Sequence, residues 1–139
     1  MALLQFQRES LLRKLTGLDS EAVRRRLVDS ETTLMWLVKH LTRAEPMWLA
    51  LRFAGQDVVL PEEAVLPSDT VESVSAAYQA AWAESDAIAA AASLDDPCRR
   101  HPEPVPNLRW VLTHMLEETA RHAGHADILR ELIDGRTGR

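Results

Sequence analysis

Residues 107–135, NLRWVLTHMLEETARHAGHADILRELIDG, constrain the fold more than any other stretch. They contain no proline. Asn107 is a residue type that caps a helix start, and Gly135 is the type that ends one. As one long helix, this segment has an inward face carrying Val111, Met115, Leu129, Leu132 and Ile133. Glu118, His122 and His125 interrupt that face in the middle. Side chains three and four residues apart stack on one side of a helix. A carboxylate and two imidazoles therefore point where a core is expected, and buried polar groups cost free energy unless something satisfies them. A metal ion is one such partner.

The rest of the chain reads as further helices. Apolar positions Leu4, Leu11, Leu12 and Leu15 give helical spacing over residues 3–16, and Gly17 is a stop. Asp19 or Ser20 can cap a short helix around 21–27. Asp29 or Ser30 is the expected start of the second long helix. There His40 shares a side with Trp36, Leu37, Ala44 and Met47, and Trp48 lies at the edge. Pro46 predicts a kink or break near residues 43–45, because proline removes a backbone hydrogen bond. Residues 54–69, AGQDVVLPEEAVLPSD, form a connection long enough to cross a bundle. Loops of this length are uncommon unless they serve a function or close a pocket. Ser68 or Asp69 begins a third helix over about 70–93, with Val71, Val74, Tyr78, Ala81, Trp82, Ser85 and Ile88 on one face. Residues 95–106 hold four prolines and form a stiff link. The expected fold is all-α: a four-helix bundle with a long crossover between the second and third helices and one short extra helix. One domain spans residues 1–139.

Charge and composition exclude several functions. The net charge is −5, whereas a phosphate-binding surface wants a basic face. The Arg24, Arg25, Arg26 run is flanked by Glu21 and Asp29 and reads as a solvated face, so no nucleic-acid partner is expected. Cys98 is the single cysteine, which fits a reducing compartment. No apolar run is long enough to span a bilayer, and the N-terminus has no signal-like pattern. The expectation is a soluble cytoplasmic protein with no membrane partner.

Glu118 and His122 stand one turn apart and can share an ion, and His40 completes three protein ligands if the second helix packs against the fourth. Two imidazoles and a carboxylate suit zinc first, and also nickel, iron or manganese. Three protein ligands leave a position open for water or substrate, as in catalytic sites. The alternative is that Glu118 and His122 pair with each other, or with Arg121 or Arg109 at a surface. His125 is a candidate acid–base group, a hydrogen-bond partner to a ligand, or a fourth ligand, with direct ligation the least favoured by geometry. Trp36, one turn before His40, is the candidate wall for the open side of a bound cofactor. Trp48, Trp82 and Trp110 fit core packing. Cys98 and His101 have C-x-x-H spacing, a weak metal signal.

The segments LVKHLTRAEPMWL and HMLEETARHAGHADILRELIDG resemble the DinB-like superfamily of four-helix metalloproteins. The branch most similar includes the N-terminal domain of mycothiol-dependent maleylpyruvate isomerase. In that superfamily one histidine ligand sits in a V-x-H-L-like motif of the second long helix, and two ligands sit at i, i+4 in the fourth. Those positions are His40, Glu118 and His122 here. Many members have histidine where Glu118 stands, whereas the isomerase branch has glutamate. The resemblance implies a small-molecule substrate, a homodimer and, for some relatives, a low-molecular-weight thiol such as mycothiol. The metal would lower the pKa of that thiol. The isomerase carries a second domain, and none is expected after the bundle here. The expected function is a metal-dependent thiol transferase or isomerase. The alternatives are a homodimeric metal- or small-molecule-binding bundle without turnover, and a purely structural relative.

Overall fold

The computed structural model describes residues 1–138, and they are helical, with four principal helices. They are α1 (Ala2–Arg13), α2 (Leu34–Pro46), α3 (Val71–Ala90) and α4 (Leu108–Asp134); a 3-10 turn covers Ala22–Arg24. Among the described residues there is no strand, only a bridge between Pro97 and Asn107. The chain has the expected four-helix bundle, with residues 54–70 crossing between α2 and α3. α2 packs against α3 and α4, and α1 lies along α4. Leu11, Leu37, Val38, Leu41, Val111 and Met115 are wholly buried between them.

The apolar stripe of α1 has an arginine in its middle. Leu4, Arg8, Leu11 and Leu15 are all buried. Arg8 donates to both carboxylate oxygens of Glu45 on α2, at 2.7 and 2.8 Å, and to Asp86 on α3 at 2.8 Å. One guanidinium thus ties three helices. α1 stops in the turn before Gly17, whose φ of +77° glycine adopts without strain. Arg130 of α4 donates to the carbonyls of Lys14 and Thr16 and so satisfies the end of α1.

Several boundaries move. The short helix at 21–27 is only the turn Ala22–Arg24, with Asp19 accepting from the Ala22 N–H at 2.8 Å. α2 starts at Leu34, not after Asp29 or Ser30. Thr33 is the cap: its backbone is extended and its hydroxyl accepts from the Trp36 N–H, while the Ser30 hydroxyl bonds Thr32. Pro46 does not break the helix near 43–45. The α-helix reaches Pro46, and Met47–Phe53 continue as a π-helix closed by Ala54 N–H to Leu49 O at 2.9 Å. Proline lacks the N–H that would have bonded the Thr42 carbonyl, and the wider turn follows while Leu49, Ala50 and Phe53 stay buried. α3 begins after Thr70, which forms a capping box with Ser73. Asp69 is unavailable as a cap because Lys39 and the Leu66 N–H hold its carboxylate.

The ends of α4 are as the sequence predicts. Asn107 accepts from the Trp110 N–H at 3.0 Å, and Gly135 closes the helix with φ +76°. Its buried face keeps Val111, Met115 and Leu129 as expected, with Ile133 partly buried against the core, and departs from the expected one at Leu132. Val111, Met115, Thr119, Ala123, Ala126, Leu129 and Arg130 face inward, while Leu132 is exposed. The buried stripe is therefore rotated, and Glu118 and His122 lie along its flank rather than at its centre.

Candidate metal centre

α2 and α4 each bring part of the site, and the crossover adds a residue that spacing did not reveal. His40 lies on the α2 face toward α4, with its ring 4.8 Å from that of His122 in an edge-on arrangement. Glu118 and His122 are one turn apart on α4, and Oε2 of the first is 3.4 Å from Nε2 of the second. One donor atom from each of His40, Glu118 and His122 falls within 4.8 Å of the others. Their side chains are 29, 22 and 12% exposed, so the site sits at the rim of the core with an open side.

The residues present fit a divalent ion. Two donors on one tetrahedral zinc lie about 3.4 Å apart when each bond is about 2.1 Å. That matches the 3.4 Å between His122 and Glu118. The other ring nitrogen of His122, Nδ1, is buried without a hydrogen-bond partner, and an ion on Nε2 would leave it so. Burial first, and then the neighbouring His40, hold His122 below the ordinary imidazole pKa. It is therefore neutral at physiological pH, as a metal ligand must be. One arginine also competes for the carboxylate. Arg121 reaches Glu118 at 3.2 Å and Glu117 at 2.6 Å. The surface pairing weighed from the sequence is thus present on one Glu118 oxygen, while the other faces His122. Arg109 pairs elsewhere, with Asp95.

Trp36 stacks on His40, with centroids 5.0 Å apart and planes 18° from parallel. It also lines a cavity of about 610 Å³ with Arg24, Arg26, Thr33 and Glu63. Arg24 is engaged there with the Leu66 and Asp69 carbonyls. His125 is exposed, contrary to the inward position expected of it. Its ring is 5.5 Å from that of His122, on the solvent side of α4. His114 is drawn the other way, stacked on Trp110 and edge-on to Trp48. His101 stacks on Trp48, and Cys98 is a buried thiol whose pKa burial raises. Asp127 pairs with Lys14.

Sequence reasoning missed Glu63. Its Oε1 is 2.9 Å from His40 Nδ1, and its Oε2 is 3.8 Å from Arg43 Nε. The signal was the acidic pair Glu62–Glu63 in a crossover long enough to return over α2.

No helix among the described residues is long and apolar enough to cross a membrane. The curated proteins compared with this chain include no match. The fold is similar to that of a solved structure, a conserved protein from Enterococcus faecalis. The TM-score is 0.73 at 17% identity, covering 97% of this chain and 95% of that one. This likeness concerns the fold alone. A family model described as mycothiol-S-transferase matches residues 1–135. The chain thus has the DinB-like fold and belongs to the mycothiol-S-transferase family.

Proposed function

We propose that the protein is a metal-dependent transferase that joins a low-molecular-weight thiol, mycothiol in the first instance, to a small electrophile. The observation that carries this reading is the convergence of His40, Glu118 and His122 within 4.8 Å in a chain of this family. A divalent ion held there, zinc by the chemistry of the donor set, would supply Lewis acidity and lower the pKa of a thiol at its open position. His40 and His122 give neutral nitrogen donors, and Glu118 gives one negative charge. Arg121 holds the second oxygen of Glu118 and orients its carboxylate. Trp36 excludes water from one face of His40 and walls the cavity where the substrate body would lie. His125, 5.5 Å from His122 ring to ring and open to solvent, would pass the thiol proton outward. The sulfur then forms a bond to the electrophile's carbon, and the leaving group departs with its electron pair.

The test is thiol consumption by zinc-loaded protein supplied with mycothiol and a small alkylating electrophile. Turnover that disappears in His122→Ala and falls several-fold in His125→Ala is expected. Loaded protein that consumes no thiol with a panel of electrophiles would sink the transferase reading.

A further inference from the structure

We infer that Glu63 is a positioning residue that holds His40 as the Nδ1–H tautomer, leaving Nε2 as the nitrogen available to an ion. The inference deepens the proposed function by assigning the crossover a part in that site. Three groups on one side of α2 bind successive parts of the crossover. Arg43 donates to the Pro61 carbonyl at 2.9 Å, His40 meets Glu63 at 2.9 Å, and Lys39 donates to Asp69 at 2.6 Å. The segment between is shaped locally, because Glu62 accepts from the Ala64 N–H at 2.9 Å. Glu63 is therefore delivered to His40 by anchors on both sides of it in sequence.

A carboxylate is an acceptor only, so a 2.9 Å contact with Nδ1 requires the proton on Nδ1. The His40 ring is then fixed on three sides, by Glu63 at Nδ1, by the Trp36 face and by the edge contact with His122. A carboxylate in this position sets the tautomer and raises the basicity of the other nitrogen. Arg43, with its Nε 3.8 Å from the second Glu63 oxygen, turns that carboxylate toward α2.

Two measurements test this. Long-range proton–nitrogen NMR on histidine-labelled, metal-free protein at about pH 8.5, above the ordinary imidazole range, reads the His40 tautomer directly. Nδ1 is expected to be protonated in wild type and in Glu63→Gln, which keeps an acceptor. Glu63→Ala should shift His40 toward the Nε2–H form. The second measurement is zinc affinity by chelator competition. Glu63→Ala is expected to bind about ten- to a hundredfold more weakly, with Glu63→Gln between it and wild type. Asp69→Asn, which loosens one anchor of the crossover but leaves the Glu63 carboxylate and the Arg43 anchor in place, should lose less affinity than Glu63→Ala does. A bare Nδ1 in the wild-type protein would overturn the inference. So would unchanged affinity in Glu63→Ala, or an equal loss in Asp69→Asn. If the wild type binds no zinc, the metal reading fails by itself, and the tautomer still decides the role of Glu63.

Discussion

Arg8 shows how much one side chain can carry. It is 1% exposed and Glu45 is fully buried, so the pair has left water completely. Such a pair gains little over apolar residues of the same volume, yet removing one member strands the other charge. Arg8→Ala is expected to destabilise the fold by about 3–5 kcal/mol, read as the shift of a urea unfolding curve. Arg8→Met combined with Glu45→Leu should recover most of that loss. Additive losses in the double variant would mean that the two side chains do not act as a unit. Leu4, Leu11 and Leu15 were legible as the face of α1, but Arg8 among them was not, because its partner Glu45 lies 37 residues away on another helix. His40, Glu118 and His122 were legible for the opposite reason: donors at i, i+4 declare a shared face, and a histidine on an apolar stripe asks for a partner.

At the scale of elements, the helices were legible and their joints less so. Periodicity and the caps Asn107 and Gly135 give α4 its ends, since capping is local chemistry. The start of α2 at Thr33 and the π-helix after Pro46 depend on which carbonyls find donors once the chain is packed. Burial of α4 depends on its neighbours too. Arg130 faces inward because the end of α1 offers it two carbonyls, and the stripe turns away from Leu132 and His125. The crossover is the element whose behaviour can be tested by pH. Burial alone would raise the Asp69 carboxyl, but the Lys39 ammonium and the Leu66 N–H hold it below its ordinary value. A carboxylate with a depressed folded pKa contributes stability that is present above its unfolded pKa, about 3.9. That contribution is lost as pH falls through the folded value. Asp69→Asn is therefore expected to cost about 1.5 kcal/mol above about pH 5, the low end for a hydrogen bond to a charged group. The gap to wild type should close as the solution is acidified below about pH 4. Urea unfolding across a pH series would show it, and a gap that stays constant down to pH 2 would contradict the assignment.

For the whole molecule, the decisive fact is that the candidate ligands come from two helices distant in sequence. His40 and His122 are far apart along the chain, and α2 and α4 meet only in the folded bundle. An ion held by both would bind the native state and have no equivalent site in the unfolded chain, so binding free energy becomes folding free energy. At a free zinc concentration a hundred times Kd the gain is about 2.7 kcal/mol, or about 9 °C in Tm for a chain of this length. Most of that rise should vanish in His40→Ala, even though Glu118 and His122 remain together on α4, because two ligands on one helix do not tie it to another. Excess chelator should return the wild-type Tm to its metal-free value. If His40→Ala gained the same 9 °C, the ion would be sitting on α4 alone or elsewhere. The bundle would then stand without the centre that links its two halves.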